Sequence, residues 1–330
     1  MEKVNVIRED WDFLIILDAC RYDYFEQVYQ QYIQGRLSKK ISIGSCTDQW
    51  RDKSFPDYYD DIVYISANPQ ISTVSPVYGY LASEHFYKVY EVWKDRWDET
   101  LGTVTPESLT DAAVEIIKNH KGKRFVIHYL QPHAPYLVAG IKPQGYNKGD
   151  INSDRVLIGS EKYERFSGIK KRLLKNLIKL FRNNHILTNR PEWILRQLLH
   201  MPPRCAMDAA RRKYGKKNLR QAYKANLQKV LEQVAVLLGH LSGTIVVTTD
   251  HGELLGEQRC YGHPPQSTSP ILTEIPWPVI QKPKDTESKS DDISDIKLSK
   301  DKIERPLGRQ STADEQEEHA RKLRSLGYFD

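Results

Sequence analysis

The chain has 330 residues, enough for one large α/β domain or two smaller ones, and its 49 Lys and Arg against 43 Asp and Glu leave a mild net charge of +6. Four scattered cysteines without C-x-x-C spacing exclude a zinc ribbon, a redox motif of that kind and a disulfide framework. No apolar run reaches the roughly 18 residues that span a bilayer, and an N-terminus with acidic residues and no A-x-A site does not read as a secretory signal, so a soluble cytoplasmic protein is expected.

The first predicted strand is Phe13 to Leu17 (FLIIL), which is uncharged and ends at Asp18. A helix is predicted over Arg21 to Gln31, so Asp18 reads both as its N-cap and as a carboxylate presented at a strand end. In Ser42 to Trp50 (SIGSCTDQW), Gly44 permits a tight turn before three consecutive hydroxyl or thiol groups, Ser45, Cys46 and Thr47. The same S-x-T-D pattern also starts helices. Asp61 to Ser66 (DIVYIS) is the next strand, and the aromatic-rich stretch from Ile71 to Thr103 is expected to hold a helix and loops. Thr105 to Lys118 carries an N-cap and a Pro at the first helical position.

Arg124 to Leu130 (RFVIHYL) is a further strand, with His128 inside it as a core or supporting histidine. It runs into Gln131-Pro132-His133-Ala134-Pro135-Tyr136, where two prolines suggest a displayed, extended His133. Residues 140–154 read as a polar loop. Ile169 to Ile186 is an amphipathic helix with Ile169, Leu173, Leu177, Leu180 and Phe181 on one face and Lys and Arg on the other. Such a helix either covers a core with its basic face solvated or lies on an anionic membrane surface. Trp193 to Leu199 and Met207 to Gly215 continue this basic insertion. Its charge admits nucleic acid, but no nucleic-acid module is visible and no specific nucleic-acid partner is expected.

Leu219 to Leu241 is a long predicted helix that feeds the strand of GTIVVTTDHGE at 243–253. Ile245, Val246 and Val247 form its buried run, and Asp250 and His251 follow. Ligands of open α/β sheets bind outside the carboxyl ends of the strands. An Asp and a His there offer one hard oxygen and one borderline nitrogen, a set suited to Zn²⁺ or Mn²⁺. His263 lies in a Gly/Pro loop beyond. Ile271 to Ile280 is a last strand, broken by prolines and therefore expected at an edge. From Gln281 to Asp314 the chain reads as a flexible tail. Glu315 to Leu326 reads as a short helix ending at Gly327, with Tyr328 and Phe329 docking back.

These elements predict a three-layer α/β/α sandwich with a mostly parallel central sheet over residues 1–280, a basic helical insertion at about 150–215 and a charged tail at 281–330. Asp18, Thr47, His133, Asp250, His251 and His263 all fall at predicted strand ends or in adjacent loops. Two carboxylates, several imidazoles and a hydroxyl nucleophile make a metal-assisted ester-cleavage site.

ILDACRYDYF at 16–25, GSCTDQW at 44–50, HYLQPHAPY at 128–136, TTDHGELLGE at 248–257 and YGHP at 261–264 resemble the alkaline phosphatase superfamily, in its sulfatase-like branch. EIPWPVI at 274–280 and RKLRSLGY at 321–328 are weaker echoes. The resemblance implies an alkaline phosphatase-like fold and a hydrolase of sulfate or phosphate esters that works through a covalent nucleophile. It also implies one or two divalent cations (Mn, Ca, Mg or Zn) on Asp18, Asp250, His251 and His263. By the same resemblance His133 and His263 serve a second metal or the transferred oxygens, either can protonate the leaving group, and Arg21, His128 and His133 bind substrate. Sulfatases proper carry C/S-x-P-x-R, and Cys46 here is followed by Thr47-Asp48-Gln49-Trp50. Thr47 therefore resembles the nucleophile of relatives that move phosphoethanolamine or phosphoglycerol groups, with Cys46 as the alternative. The implied partner is a small-molecule or glycan sulfate or phosphate ester. Three other readings stand beside it: a transferase acting on a glycan or lipid-linked substrate, a silent assembly protein at an anionic membrane surface through 169–186, and a nucleic-acid binder.

Overall fold

The computed structural model describes residues 3–137, 189–198, 203, 205–284 and 311–328. Its strands are β1 (Lys3–Val4), β2 (Phe13–Leu17), β3 (Leu37–Ser42), β4 (Tyr59–Ser66), β5 (Phe86–Glu91), β6 (Arg124–Tyr129), β7 (Gly243–Thr248), β8 (Leu254–Leu255), β9 (Tyr261–Gly262) and β10 (Glu274–Lys282). The helices are α1 (Tyr22–Val28), α2 (Thr47–Ser54), α3 (Val92–Asp95), α4 (Pro106–Lys118), α5 (Asn189–Leu198), α6 (Ala206–Leu238), α7 (Pro270–Thr273) and α8 (Ala313–Leu326). Among the described residues one eight-stranded sheet runs in the order β1-β3-β10-β7-β2-β6-β4-β5, and β8 and β9 form a separate hairpin. The run β7-β2-β6-β4-β5 is parallel throughout, and β10 is antiparallel to both neighbours.

β2 carries no charge because both of its faces are covered. Phe13, Ile15 and Leu17 pack with Phe25 of α1, Leu109 of α4, Leu231 of α6 and Leu323 of α8. Leu14 and Ile16 face the other way, onto Trp50 of α2 with Trp11, Tyr64 and Val246. Alternate residues thus serve two cores, which gives helices on both sides of a mostly parallel sheet. Burying one such aliphatic side chain contributes about 1.5–3 kcal/mol, far more than helix propensity supplies per residue.

Local signals hold where predicted. Thr105 Oγ1 accepts from the Ser108 N–H at 3.3 Å, with Pro106 opening α4. α8 closes at Gly327 in the left-handed region, at φ 99°. Other expectations change. β5 is a strand inside the stretch expected to hold a helix and loops; its half-exposed side chains hid the alternation. The two predicted helices at 207–215 and 219–241 join as α6, interrupted at Gly215 by a φ of 67°. β10 is interior to the sheet, not an edge. Its first half, Glu274 to Pro278, ladders with β3 alone, and its second half, Val279 to Lys282, with β7 alone. Pro276 and Pro278 therefore sit where the backbone ladder is with β3 alone, and the Pro276 carbonyl turns to the other side, where it accepts from Thr248 Oγ1 of β7 at 2.7 Å.

The amphipathic stretch 169–186, the loop 140–154 and residues 285–310 of the tail lie outside the described residues. No helix among the described residues is long and apolar enough to cross a membrane.

Candidate active site

Because β7, β2, β6 and β4 are parallel neighbours, their carboxyl ends open on one edge of the sheet. β2 delivers Asp18, β7 delivers Asp250 and His251, β6 leads to His133 and β4 to Asn68. Thr47 enters as the first residue of α2. Two glycines allow this approach. A Cβ on Gly44 would lie 2.4 Å from the Trp50 backbone nitrogen, and one on Gly252 would lie 1.9 Å from the Ile271 carbonyl oxygen. Only a residue without a side chain fits either place.

One cluster centres on Thr47, whose side chain is fully buried with Asp18, Asp250 and His251. Thr47 Oγ1 lies 2.7 Å from Asp250 Oδ2 and 3.2 Å from His251 Nε2. His251 Nε2 is 3.3 Å from Asp250 Oδ2 and 3.8 Å from Asp18 Oδ1. His251 Nδ1 faces the Gly252 carbonyl at 2.8 Å. A carbonyl only accepts, so Nδ1 carries the proton and Nε2 turns a lone pair to the cluster. Asp250 Oδ1 is held by the N–H groups of Ala19 and His251.

A second cluster adjoins it. The β8–β9 hairpin brings His263 back to Glu253, with Nδ1 3.2 Å from Oε1. His133 Nδ1 faces the Ala134 carbonyl at 2.6 Å. Ring centroids of His251 and His263 are 4.3 Å apart, and those of His133 and His263 are 5.3 Å apart. His133, Glu253 and His263 offer ligand atoms within 4.8 Å of one another.

The electrostatics follow from burial set against the histidines and hydrogen bonds around each carboxylate. Burial, then the charges of Asp250 and Glu253, push the Asp18 carboxyl well above the usual range. Burial also opposes ionisation of Asp250 and Glu253, but adjacent histidines and hydrogen bonds outweigh it and hold both below the usual carboxylate range. His128 and His133 are pulled down to about 4, chiefly by burial. His263 goes the other way: burial disfavours its cation, yet the Glu253 charge and hydrogen bond win.

A divalent cation fits these donors. Asp18 Oδ1 and Glu253 Oε2 are buried with no hydrogen-bond partner among the described residues, a costly state for a carboxylate oxygen. A tetrahedral site with bonds of about 2.0–2.1 Å spaces its ligand atoms about 3.3 Å apart, close to the 2.7–3.8 Å separations among Thr47, Asp250, His251 and Asp18. Asp18, His128 and Asp250 also come within 4.8 Å. We favour His251 over His128 as the nitrogen, because its tautomer is set by a carbonyl and it borders Thr47 as well.

Of the residues singled out from the sequence, the structure gathers Asp18, Thr47, His133, Asp250, His251 and His263 on one sheet edge. His133 is buried rather than displayed, because Asn226 of α6 donates to the carbonyls of Pro132 and His133. His128 lies in β6 beneath the site, bonded to the Tyr64 hydroxyl at 2.9 Å. Arg21 departs from the expected substrate role. Its guanidinium is taken by Asp23 at 2.7 Å, Glu257 at 3.0 Å and the Glu253 carbonyl at 3.3 Å, which fastens the 253–257 segment to the β2 loop. The Cys46 thiol is pushed up by burial and by the Asp48 hydrogen bond, away from thiolate chemistry. Asn68, Glu253 and Tyr328 join the site without having been singled out for it. Glu253 stood in the DHGE run and Tyr328 in the terminal segment expected to dock back, without a role in the site, and Asn68 gave no local signal.

Neither a protein-family model nor a curated protein sequence matches this chain. Solved structures do. The C-terminal periplasmic domain of EptC from Escherichia coli, a Zn complex, is 10% identical, with a TM-score of 0.46 over 82% of this chain and 72% of that one. The C-terminal periplasmic domain of phosphoethanolamine transferase EptC from Campylobacter jejuni is 13% identical, with a TM-score of 0.42 over 84% and 82%. BT4656, in complex with its substrate D-glucosamine-2-N,6-O-disulfate, is 15% identical, with a TM-score of 0.41 over 82% and 70%. Bacteroides proteins assigned as sulfatases are also among the similar structures. Phosphoethanolamine transferases and sulfatases are both alkaline phosphatase superfamily proteins, the superfamily that the motifs resemble. The cytoplasmic expectation is corrected by these neighbours, several of which are periplasmic domains.

Proposed function

We propose that the chain is a metal-assisted phosphoester hydrolase or phosphotransferase with Thr47 as its nucleophile. One observation carries this reading: a buried hydroxyl, 2.7 Å from Asp250 Oδ2 and 3.2 Å from His251 Nε2, at the first residue of a helix and beside an unpartnered carboxylate oxygen. Asp18, Asp250 and His251 would hold a divalent cation with Thr47, and His133 and His263 would hold a second cation or the transferred oxygens. When bound, the cation lowers the pKa of the hydroxyl and offsets charge on the transferred group.

Thr47 faces two acceptors and gives its one proton to the nearer of them, Asp250 Oδ2, as it attacks. Its Oγ1 forms a bond to phosphorus as the bond to the leaving oxygen breaks on the opposite side. His263, whose protonated form Glu253 favours, gives its proton to the leaving oxygen. Water or an acceptor alcohol then takes the group from Thr47. The N-terminus of α2 favours the negative charge that gathers there. A hydroxyl nucleophile beside a disfavoured thiolate supports phosphate over sulfate chemistry through a modified Cys46.

The test is cleavage of aryl phosphate, phosphodiester and aryl sulfate substrates by protein loaded with Zn²⁺, Mn²⁺, Mg²⁺ or Ca²⁺. Thr47→Ala is expected to lose at least about a thousandfold in kcat/KM, as removal of a nucleophile does, and Thr47→Ser to retain part of the activity. Sulfate turnover that survives Thr47→Ala would move the nucleophile to Cys46.

A further inference from the structure

The C-terminal helix reaches the site from the far end of the chain. α8 opens with a capping box between Thr312 and Glu315 and buries Leu323 and Leu326 in the main core. His319 ties it to the loop after β4: Nε2 lies 2.7 Å from the Pro69 carbonyl, Nδ1 lies 2.9 Å from Ser75 Oγ, and the ring stacks on Trp93. Beyond Gly327 the Tyr328 N–H bonds back to the Leu323 carbonyl at 3.1 Å, which turns the Tyr328 side chain inward. The Tyr78 hydroxyl donates to the Tyr328 carbonyl.

The Tyr328 ring lies against His133, with centroids 5.7 Å apart and planes 26° apart. Its hydroxyl donates to Asp18 Oδ2 at 3.2 Å and accepts from Asn68 Nδ2 at 3.2 Å. Asn68 Nδ2 also donates to that same Asp18 oxygen, at 2.6 Å. Two donors are therefore fixed on Oδ2, and Oδ1 is the oxygen without a partner. A residue serving only to fill the core needs no hydroxyl there. Partners of this kind set the orientation and basicity of a metal-binding carboxylate.

We infer that Tyr328 is a positioning residue: with Asn68 it clamps Asp18 Oδ2, so that Oδ1 is the oxygen presented for ligation, and the C-terminal helix thereby completes the cation site. This inference rests on the cation site of the proposed function. Tyr328→Phe keeps the ring against His133 and removes only the hydroxyl.

The experiment measures the Zn²⁺ dissociation constant of full-length, metal-stripped protein by competition with a chromophoric chelator, beside the thermal midpoint in excess EDTA. Tyr328→Phe is expected to bind Zn²⁺ about tenfold or more weakly, with its metal-free midpoint close to wild type. Wild-type affinity in Tyr328→Phe overturns the positioning role and leaves the cation site standing. A wild type that binds no Zn²⁺, or an Asp250→Ala variant that binds it unchanged, overturns the site reading and this inference with it. Should the Phe variant not fold, Asn68→Ala removes the other donor on Asp18 Oδ2, and its Zn²⁺ affinity is read by the same two outcomes for the clamp.

Discussion

Burial disfavours the cation of His128, His133, His251 and His263 alike, only at His263 does the Glu253 carboxylate outweigh it, and each net direction has a consequence in pH. The His128 pKa lies near 4 in the fold, below the unfolded value of about 6.5. Between those values the unfolded chain binds the extra proton, so stability falls as pH drops through that window, by about 1.4 kcal/mol per pH unit for one group. Asp18, raised by burial, works against this: its proton is kept longer in the fold, so its contribution is lost as pH rises. The difference between wild type and His128→Gln isolates the histidine. Urea unfolding of metal-free protein from pH 6.5 to 4 is expected to show a shallower loss in the variant, and equal slopes in the two proteins contradict the assignment. Arg21 shows why such roles are hard to read one residue at a time. An Arg beside a predicted metal ligand suggests an anion clamp, and only the positions of Asp23 and Glu257 show that its donors are already taken.

Supporting elements set how tightly these side chains can be held. α6 contributes Tyr223 and Asn226, one helical turn apart. Tyr223 donates to the Ala19 carbonyl at 2.7 Å and accepts from the Arg21 N–H at 2.8 Å, pinning the loop after β2 where Ala19 has a φ of 58°. Asn226 pins the loop after β6. The DHGE turn is secured by the Gly252 N–H on the Leu272 carbonyl and passes so close to Ile271 that no side chain fits. Gly252→Ala is expected to destabilise the protein by about 1–3 kcal/mol or more, since backbone must move to admit the methyl group. A lowered urea midpoint with an unchanged slope is the sign; a wild-type midpoint contradicts the close approach.

Across the whole molecule, the stacking of two cores on a parallel sheet makes a scaffold that concentrates negative charge at one edge. Asp18, Asp250 and Glu253 are fully buried there beside three histidines. A cation bound there, as proposed, would offset this charge and favour the native state. Added Zn²⁺ at a hundredfold excess over its dissociation constant should therefore contribute about 2.7 kcal/mol of stability. Differential scanning calorimetry would read this as a raised Tm, reversed by EDTA and absent in Asp250→Ala. An identical Tm with and without every divalent cation tested would count against a cation site in the native protein.

The amino-acid sequence by itself determined the strands β2 and β7, because a strand buried on both faces reads as a short uncharged apolar run, and β6 through its core of Phe125, Val126 and Ile127, although His128 interrupts the run. It also determined the cap at Thr105, the stop at Gly327 and the polar residues placed just past each strand, since capping and turn chemistry act over a few neighbours. Tertiary structure alone decided which distant group meets which: Asn68 and Tyr328 on Asp18, Glu253 on His263, Glu257 on Arg21, and β10 inside the sheet with its prolines in the half that ladders with β3 alone. Periodicity reports which face of an element is buried. The partner that satisfies a buried charge comes from another part of the chain, and no local pattern names it.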